Sequence, residues 1–338
     1  MAIKIGYKAS AEQFGPRELL DFSVEAERVG LDIVSVSDHF QPWRHKGGHA
    51  PNALVWLGAL AQATERLTMG TSVLTPTLRY NPSIIAQAFG TLGVLAPGRV
   101  FLGVGTGESL NETPATGGEF PGAKERRRRL AEAVKLIEQL WREDRVDFEG
   151  EYYEAVRATV YDKPEQPVPI YIAASGPLAA KLAGRAGDGF ISTSGKDPDL
   201  YRELIANLEE GAAKAERDAG QIKKMIEIKV SYDRDEDFAF EACKPWAALG
   251  LTHDQKQGID DPAEMERVAD EHADQAHKRF IVSDDCDSVI EKILPYVDLG
   301  FEELVLHAPG HDQKRFLDQF SADVLPALRE EAEKRISA

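Results

Sequence analysis

Cysteine is nearly absent from this chain: Cys243 and Cys286 are the two among 338 residues, far apart and in neither a C-x-x-C nor a metal-ligand spacing. That argues against a disulfide framework and makes a reducing cytoplasm the expected compartment. Long apolar runs are missing too, and nothing approaches the ~20 residues of a membrane span. The N-terminus passes at once into a strand-like segment, Ile3 to Tyr7, without the basic and apolar regions of a secretory signal. Positive charge is in deficit, with 40 Lys and Arg against 57 Asp and Glu and a net charge of −17. Nonspecific binding to nucleic acid or anionic membrane needs the opposite balance. An anionic ligand would need a local positive pocket, so any converging Lys and Arg become informative.

What the chain does have is alternation. Strand-like segments begin near Ile3, Ile33, Thr68, Val100, Pro169, Gly189, Met225 and Glu303, with helical stretches between them such as Pro16 to Val29, Pro82 to Leu95, Lys124 to Trp141 and Asp199 to Asp218. Eight βα units predict an α/β fold, a (β/α)8 barrel built as a single domain over residues 1–338. Two insertions interrupt the rhythm: 147–163, with the turn residues and alternation of a hairpin, and 249–278, charged and partly helical, after the seventh strand. Long loops at a barrel's C-terminal face commonly bind substrate or act as lids.

Chemistry concentrates after the strands. Ser37-Asp38-His39-Phe40-Gln41-Pro42-Trp43-Arg44-His45 follows the second strand and sets an acid, an imidazole and an indole side by side at the expected mouth. Imidazole titrates near neutrality, and indole offers a flat wall with one donor. Gly103-Val104-Gly105-Thr106-Gly107-Glu108 follows the fourth strand. Its glycines allow either close approach to a ligand or a tight turn, and Glu108 is either an acid–base group or a loop cap. The spacing is G-x-G-x-G rather than the dinucleotide G-x-G-x-x-G, and the stretch is not expected to run straight into a helix. Ser175-Gly176-Pro177 precedes a helix whose first N–H groups suit a phosphate or a carbonyl. Thr193, Lys196, Lys256 and Arg279 would form a dianion site if they converge. No metal is expected: Gly47 and Gly48 separate His45 from His49, which disfavours the helix that would pair them. The run Arg126 to Arg129 reads as a solvated helix face.

Taken together, IGYKASAEQF, SDHFQPWRHKGGHAP, GTSVLTPTLRYNP, FLGVGTGESLNE, YIAASGP, GRAGDGFISTSGK and HAPGHDQKRF resemble the F420-dependent glucose-6-phosphate dehydrogenases of the bacterial luciferase-like superfamily. The resemblance runs nearly the full length. It implies a (β/α)8 barrel, usually a homodimer, that binds coenzyme F420 and oxidises a hexose 6-phosphate. By motif, it implies that Asp38, Thr75, Thr106, Gly107, Glu108, Asn111, Ser175, Gly176, Leu178 and Ala179 line the deazaflavin site, with a cis peptide at Ser72-Val73 behind the ring. Thr193, Lys196, Lys256 and Arg279 fall on its sugar-phosphate positions. His39 is the expected general base, Glu108 the group at the N1 end of the ring, Trp43 a packing wall and Glu12 a further candidate. Two departures, Ser175 where the family often has Gly and Gln257 where it has His, leave the sugar preference open among glucose, fructose and mannose 6-phosphates. Two other readings stay open: a sister enzyme using FMN and oxygen or acting on an alcohol or pterin, and a non-catalytic barrel that binds phosphosugar or deazaflavin.

Overall fold

The computed structural model describes residues 3–256 and 258–337; Gln257, the second departure, lies outside the described residues. In chain order the elements are β1 (Lys4–Ala9), α1 (Pro16–Arg28), β2 (Ile33–Val36), α2 (Ala53–Ala63), β3 (Thr68–Thr71), α3 (Pro82–Leu95), β4 (Val100–Val104), α4 (Ser109–Thr116) and α5 (Ala123–Arg142). There follow β5 (Val146–Glu149), β6 (Glu154–Ala158), β7 (Ile170–Ala173), α6 (Pro177–Ala186), β8 (Gly189–Thr193), α7 (Pro198–Lys214) and β9 (Lys223–Tyr232). The remainder is α8 (Glu236–Glu241), α9 (His253–Lys256), α10 (Pro262–Asp270), β10 (Ile281–Ser283), α11 (Cys286–Asp298), β11 (Glu303–His307), α12 (Gln313–Asp323) and α13 (Leu325–Ser337).

Parallel pairing runs β9-β11-β1-β2-β3-β4-β7-β8, and β8 pairs back onto β9 to close an eight-stranded barrel. The expected strands are therefore the barrel staves. Its floor is an apolar layer of Ile33, Phe101, Tyr171, Ile191, Met225 and Val305, and a second apolar layer packs the strands against the surrounding helices. Small residues make room for the large inward ones: a Cβ on Gly70 or Gly189 would lie within 2.7 Å of the ring of Phe101 or Tyr171 respectively. Above this floor the inward positions become ionic. Lys8, Glu227, Lys229 and His307 are all buried there.

The 147–163 insertion is a hairpin of β5 and β6, and the Glu132 carboxylate on α5 accepts from the N–H groups of Glu151, Tyr152 and Tyr153 at 2.7–2.9 Å. Three expectations need correction. The long insertion starts at α8, before residue 249, because the six residues capped by the Asp235 side chain are too few to show a helical period. The glycine turn does run straight into a helix, α4; with no side-chain cap at Glu108 and Pro114 inside, it carries no start signal. The 199–218 helix ends at Lys214; residues 215–218 leave it through a turn, and a short 3-10 helix follows at Ala219–Gln221.

Gly103 is the tightest seam between barrel strands, since a Cβ there would sit 1.8 Å from the Thr71 carbonyl oxygen. Gly103→Ala is expected to cost about 1–3 kcal/mol or more, because backbone rather than a movable side chain blocks the methyl. Urea unfolding of the variant beside the parent measures this, and an unchanged midpoint would refute it.

Candidate active site

The loop after β1 and the loop after β2 meet at the barrel mouth. There His39 Nε2 lies 3.1 Å from Glu12 Oε1, and the Ser37 hydroxyl donates to the other Glu12 oxygen. Glu12 is 9% exposed. Burial works to raise its pKa, but His39, Lys8 and Ser37 together outweigh it and hold the carboxyl below its ordinary range. Asn111, on α4, fixes the imidazole from the other side. Its Oδ1 accepts from the Phe40 and Gln41 N–H groups at 2.8 and 3.1 Å, which leaves its Nδ2 to donate to His39 Nδ1 at 3.2 Å. That assigns the neutral ring its proton on Nε2, facing Glu12. The Gln41 carbonyl is 3.1 Å from the same Nδ1 and can accept from it once the ring is charged. Either protonation state of His39 thus has a partner waiting.

Trp43 packs against His39, ring centres 5.6 Å apart, and the Lys256 ammonium sits 5.3 Å from the Trp43 ring centre. Asp38 is buried and fully engaged: Arg79 donates to its Oδ2 at 2.6 Å and Tyr80 to its Oδ1 at 3.2 Å. The Arg79 Nε–H donates to Glu112 Oε1 at 3.1 Å. Burial would lower the Arg79 pKa, but Asp38 and Glu112 outweigh it and raise it, so the guanidinium stays charged between two buried carboxylates.

The segment between β3 and β4 forms a bulge. The Ser72-Val73 peptide is cis, the Ser72 carbonyl accepts from the Lys8 ammonium, and Leu74 is stitched to β4 by its N–H to Gly103 O and its carbonyl to the Gly105 N–H, both at 2.9 Å. Two of the motif glycines serve this packing, since a Cβ on Gly105 would meet Val73 at 2.6 Å. Gly107 differs. Its φ of +78° places it in the left-handed region, with Thr75 and Glu112 close behind. Glu108 is exposed and makes no cap hydrogen bond, which removes the loop-cap reading of its carboxylate. Arg126, half-buried and stacked 4.3 Å from the Phe120 ring centre, donates to Gly107 O at 3.1 Å. Burial and Arg127 push the Arg126 pKa down, while Glu108 opposes them.

Further round the mouth, Thr106 is half-buried, and Ser175 is exposed beside Gly176, which begins α6 with no side-chain cap. The first amides of α6 are therefore open to an anion or carbonyl. Leu178 is 57% exposed there, and Ala179 leans on the core. The Thr193 carbonyl accepts from Tyr201 at 2.8 Å. Arg279 is brought beside Lys196 through the Gly195 carbonyl, and Lys256 stands over the Trp43 ring. Burial lowers the Lys196 pKa, helped by Lys229 and Arg279. Burial also lowers that of Lys256, against Glu108 but helped by Arg279 and Lys229. Arg279 reaches across to the Gly195 carbonyl at 2.9 Å.

The sequence pattern of the luciferase-like monooxygenases matches residues 2–303. The chain belongs to that family. It is 59% identical over 331 residues to the F420-dependent glucose-6-phosphate dehydrogenase of Intrasporangium calvum, covering 97% of this chain and 99% of that one. It is 61% identical over 329 residues to the enzyme of that name from Kineococcus radiotolerans, covering 97% of each. Among solved structures it superposes with a TM-score of 0.91 on an F420-dependent secondary alcohol dehydrogenase in complex with an F420–acetone adduct, 36% identical, covering 97% of this chain and 99% of that one.

On this luciferase-like barrel the residues that sequence reasoning missed are Lys8, Arg79, Arg126, Glu227 and Lys229. Signals existed for two of them: Glu227 and Lys229 alternate with Ile226, Ile228 and Val230 in β9, so both point to one face of a strand whose burial was already expected. Arg126 was hidden inside a basic run. Arg79→Met would strand Asp38 and Glu112 in the core, and the expected loss is about 3–5 kcal/mol at neutral pH. The loss should shrink as the pH falls and the stranded carboxyls take up protons; denaturant unfolding at several pH values tests both the size and the sign.

Proposed function

We propose that this chain is an F420-dependent glucose-6-phosphate dehydrogenase, oxidising the C1 hemiacetal of glucose 6-phosphate to its lactone. One observation carries the reading: in a chain of net charge −17, Arg279 is drawn across to the Gly195 carbonyl next to Lys196, and Lys256 stands over Trp43, beside a buried acid paired with an imidazole. That is a dianion site next to a proton acceptor. A sister enzyme acting on a simple alcohol has no use for the cations, and a sensor has no use for the pair.

The residues present fit a deazaflavin. The open amides at the start of α6, the bulge at Ser72-Val73 and the left-handed Gly107 offer hydrogen bonds and close backbone approach. Arg126 Nε is buried without a partner among the described residues. Thr75, Thr106, Asn111, Ser175, Leu178 and Ala179 would complete the lining. When bound, the deazaflavin supplies the hydride acceptor. The chain's own residues do the rest. Lys196, Lys256, Arg279 and Thr193 hold the phosphate, whose binding energy orients a remote C1. As the C1–H bond gives up its hydride, the O1 proton passes to the Glu12–His39 pair, and Asn111 and Gln41 support the ring before and after. Trp43 walls the sugar off from water. Glu108, exposed at the mouth, would meet the charge or proton that develops at the N1 end of the ring. We extend the proposal to a single-domain homodimer of the cytoplasm. Free cysteines and the outward apolar side chains Val55 and Ile84 on α2 and α3 support it, and no helix among the described residues is long and apolar enough to cross a membrane.

Anaerobic incubation with oxidised F420 and glucose 6-phosphate should bleach the cofactor's visible absorbance, and FMN or NADP should not substitute; bound F420 that stays unbleached defeats the proposal. Fructose and mannose 6-phosphates in the same assay rank the sugars. His39→Ala is expected to lower kcat by about 10²–10⁴-fold with F420 affinity retained, and near-normal turnover would remove it from the mechanism. Because binding a dianion needs charged amines and those of Lys196 and Lys256 are held low, KM for glucose 6-phosphate should climb with rising pH. The climb should begin below the ordinary lysine range of about 10.4; a KM flat through that region speaks against the assignment.

A further inference from the structure

Lys229 is 4% exposed, on the inward face of β9, and among the described residues its ammonium has a single partner, Glu227 Oε1 at 3.1 Å. An ammonium carries three donors, so its capacity is largely unspent. Nor is Glu227 free to neutralise it. The second Glu227 oxygen is paired with Lys8 at 3.2 Å, Lys8 is itself turned toward the Ser72 carbonyl, and His307 Nδ1 lies 3.3 Å from Glu227 Oε1. One buried carboxylate therefore serves two buried ammonium groups.

The surplus positive charge faces a definite place. The Lys229 backbone N–H donates to Ser194 Oγ at 3.0 Å, and Arg279 donates to the Ser194 and Gly195 carbonyls at 3.4 and 2.9 Å, which sets Lys229 beside the loop that carries Lys196; Arg279 Nε is buried with no hydrogen-bond partner among the described residues. A buried cation with incomplete counter-charge is costly, and folding tolerates it where a ligand brings the missing charge. If Lys229 served only to balance Glu227, Lys8 would make it redundant.

We infer that Lys229 is a further substrate-binding residue, an inward cation in the ionic layer above the barrel floor that contacts the phosphate monoester from beneath while Lys196, Lys256 and Arg279 hold it from the rim. This rests on the sugar-phosphate reading above for its biological ligand, but its test does not. The probe is inorganic phosphate, titrated against the full-length protein and followed by thermal shift, with F420 affinity measured by fluorescence quenching. Lys229→Met, which keeps length and removes charge, should weaken phosphate binding at least about tenfold and leave F420 affinity within about twofold, whereas Lys229→Arg should keep most of the phosphate affinity. Phosphate affinity unchanged in Lys229→Met would overturn the inference and leave Lys229 as a partner of Glu227. Should the single variant fail to fold because Glu227 loses a neighbour, the E227Q/K229M double variant removes both charges and carries the same comparison. Wild-type protein that binds phosphate through Lys229 yet does not oxidise glucose 6-phosphate refutes the proposed function and not this residue. Oxidation of the sugar with phosphate binding indifferent to Lys229 refutes the residue and not the function.

Discussion

The two oxygens of Glu227 hold the inside of this barrel together where it stops being a core and becomes a site. Below them the interior is an apolar layer of Phe101, Tyr171 and Met225; above them is the mouth. One oxygen faces Lys8 and the other Lys229. Burial alone would raise the Glu227 pKa, yet Lys229, Lys8 and His307 outweigh it and hold it well below the usual carboxylate range. The anion is therefore permanent, and it anchors two ammonium groups that point to different ends of the site: Lys8 toward the Ser72-Val73 bulge, Lys229 toward Lys196, Lys256 and Arg279. An apolar isostere there would be as good for packing and often better for stability. What it would not do is deliver fixed charge to both ends.

The same logic explains how a strongly acidic protein can bind an anion. The excess of acidic residues sets a repulsive field at long range that salt screens within about 10 Å. Inside the mouth the balance reverses, because the cations gathered there are half-buried or, like Lys229, buried, and are screened less. Surface pairs such as Lys314 with Asp318 or Lys334 with Glu330 belong to the first regime and contribute little. Arg79 between Asp38 and Glu112 belongs to the second, and it locks the loop that carries His39 to the helix that carries Asn111.

Much of this was legible in the sequence. Short apolar runs bounded by turns marked the barrel strands, because a stave buried on both faces leaves a near-continuous signature. The residues after β2, β4 and β8 were identifiable because strand ends in a barrel share one rim. Three things stayed hidden for physical reasons. Helices α4 and α8 are too short for a period. The pairing of Glu12 with His39 joins two separate loops, and no local pattern encodes which groups meet across a rim. Lys8, Glu227 and Lys229 were visible as charges in apolar strands, but a charge in a strand reads as an edge or an error until a partner is found, and those partners lie on staves that are neighbours only once the barrel has closed.

The long insertion has its own small apolar cluster, built from Cys243, Trp246, Leu251, Met265 and Phe280 and separate from the barrel's. It carries Lys256 on α9 and ends in the 3-10 turn with Arg279, whereas the bulge, Gly107 and the start of α6 belong to the loops of the staves themselves. Two of the cations, Lys256 and Arg279, are thus housed in a separately packed module, while Lys196 stays in the loop after β8 and Lys229 on β9. The loop that carries His39 leans on that excursion through Trp43 and the Arg44–Glu266 pair, so any lineage that remodels the excursion to change what it oxidises must keep the seam with that loop.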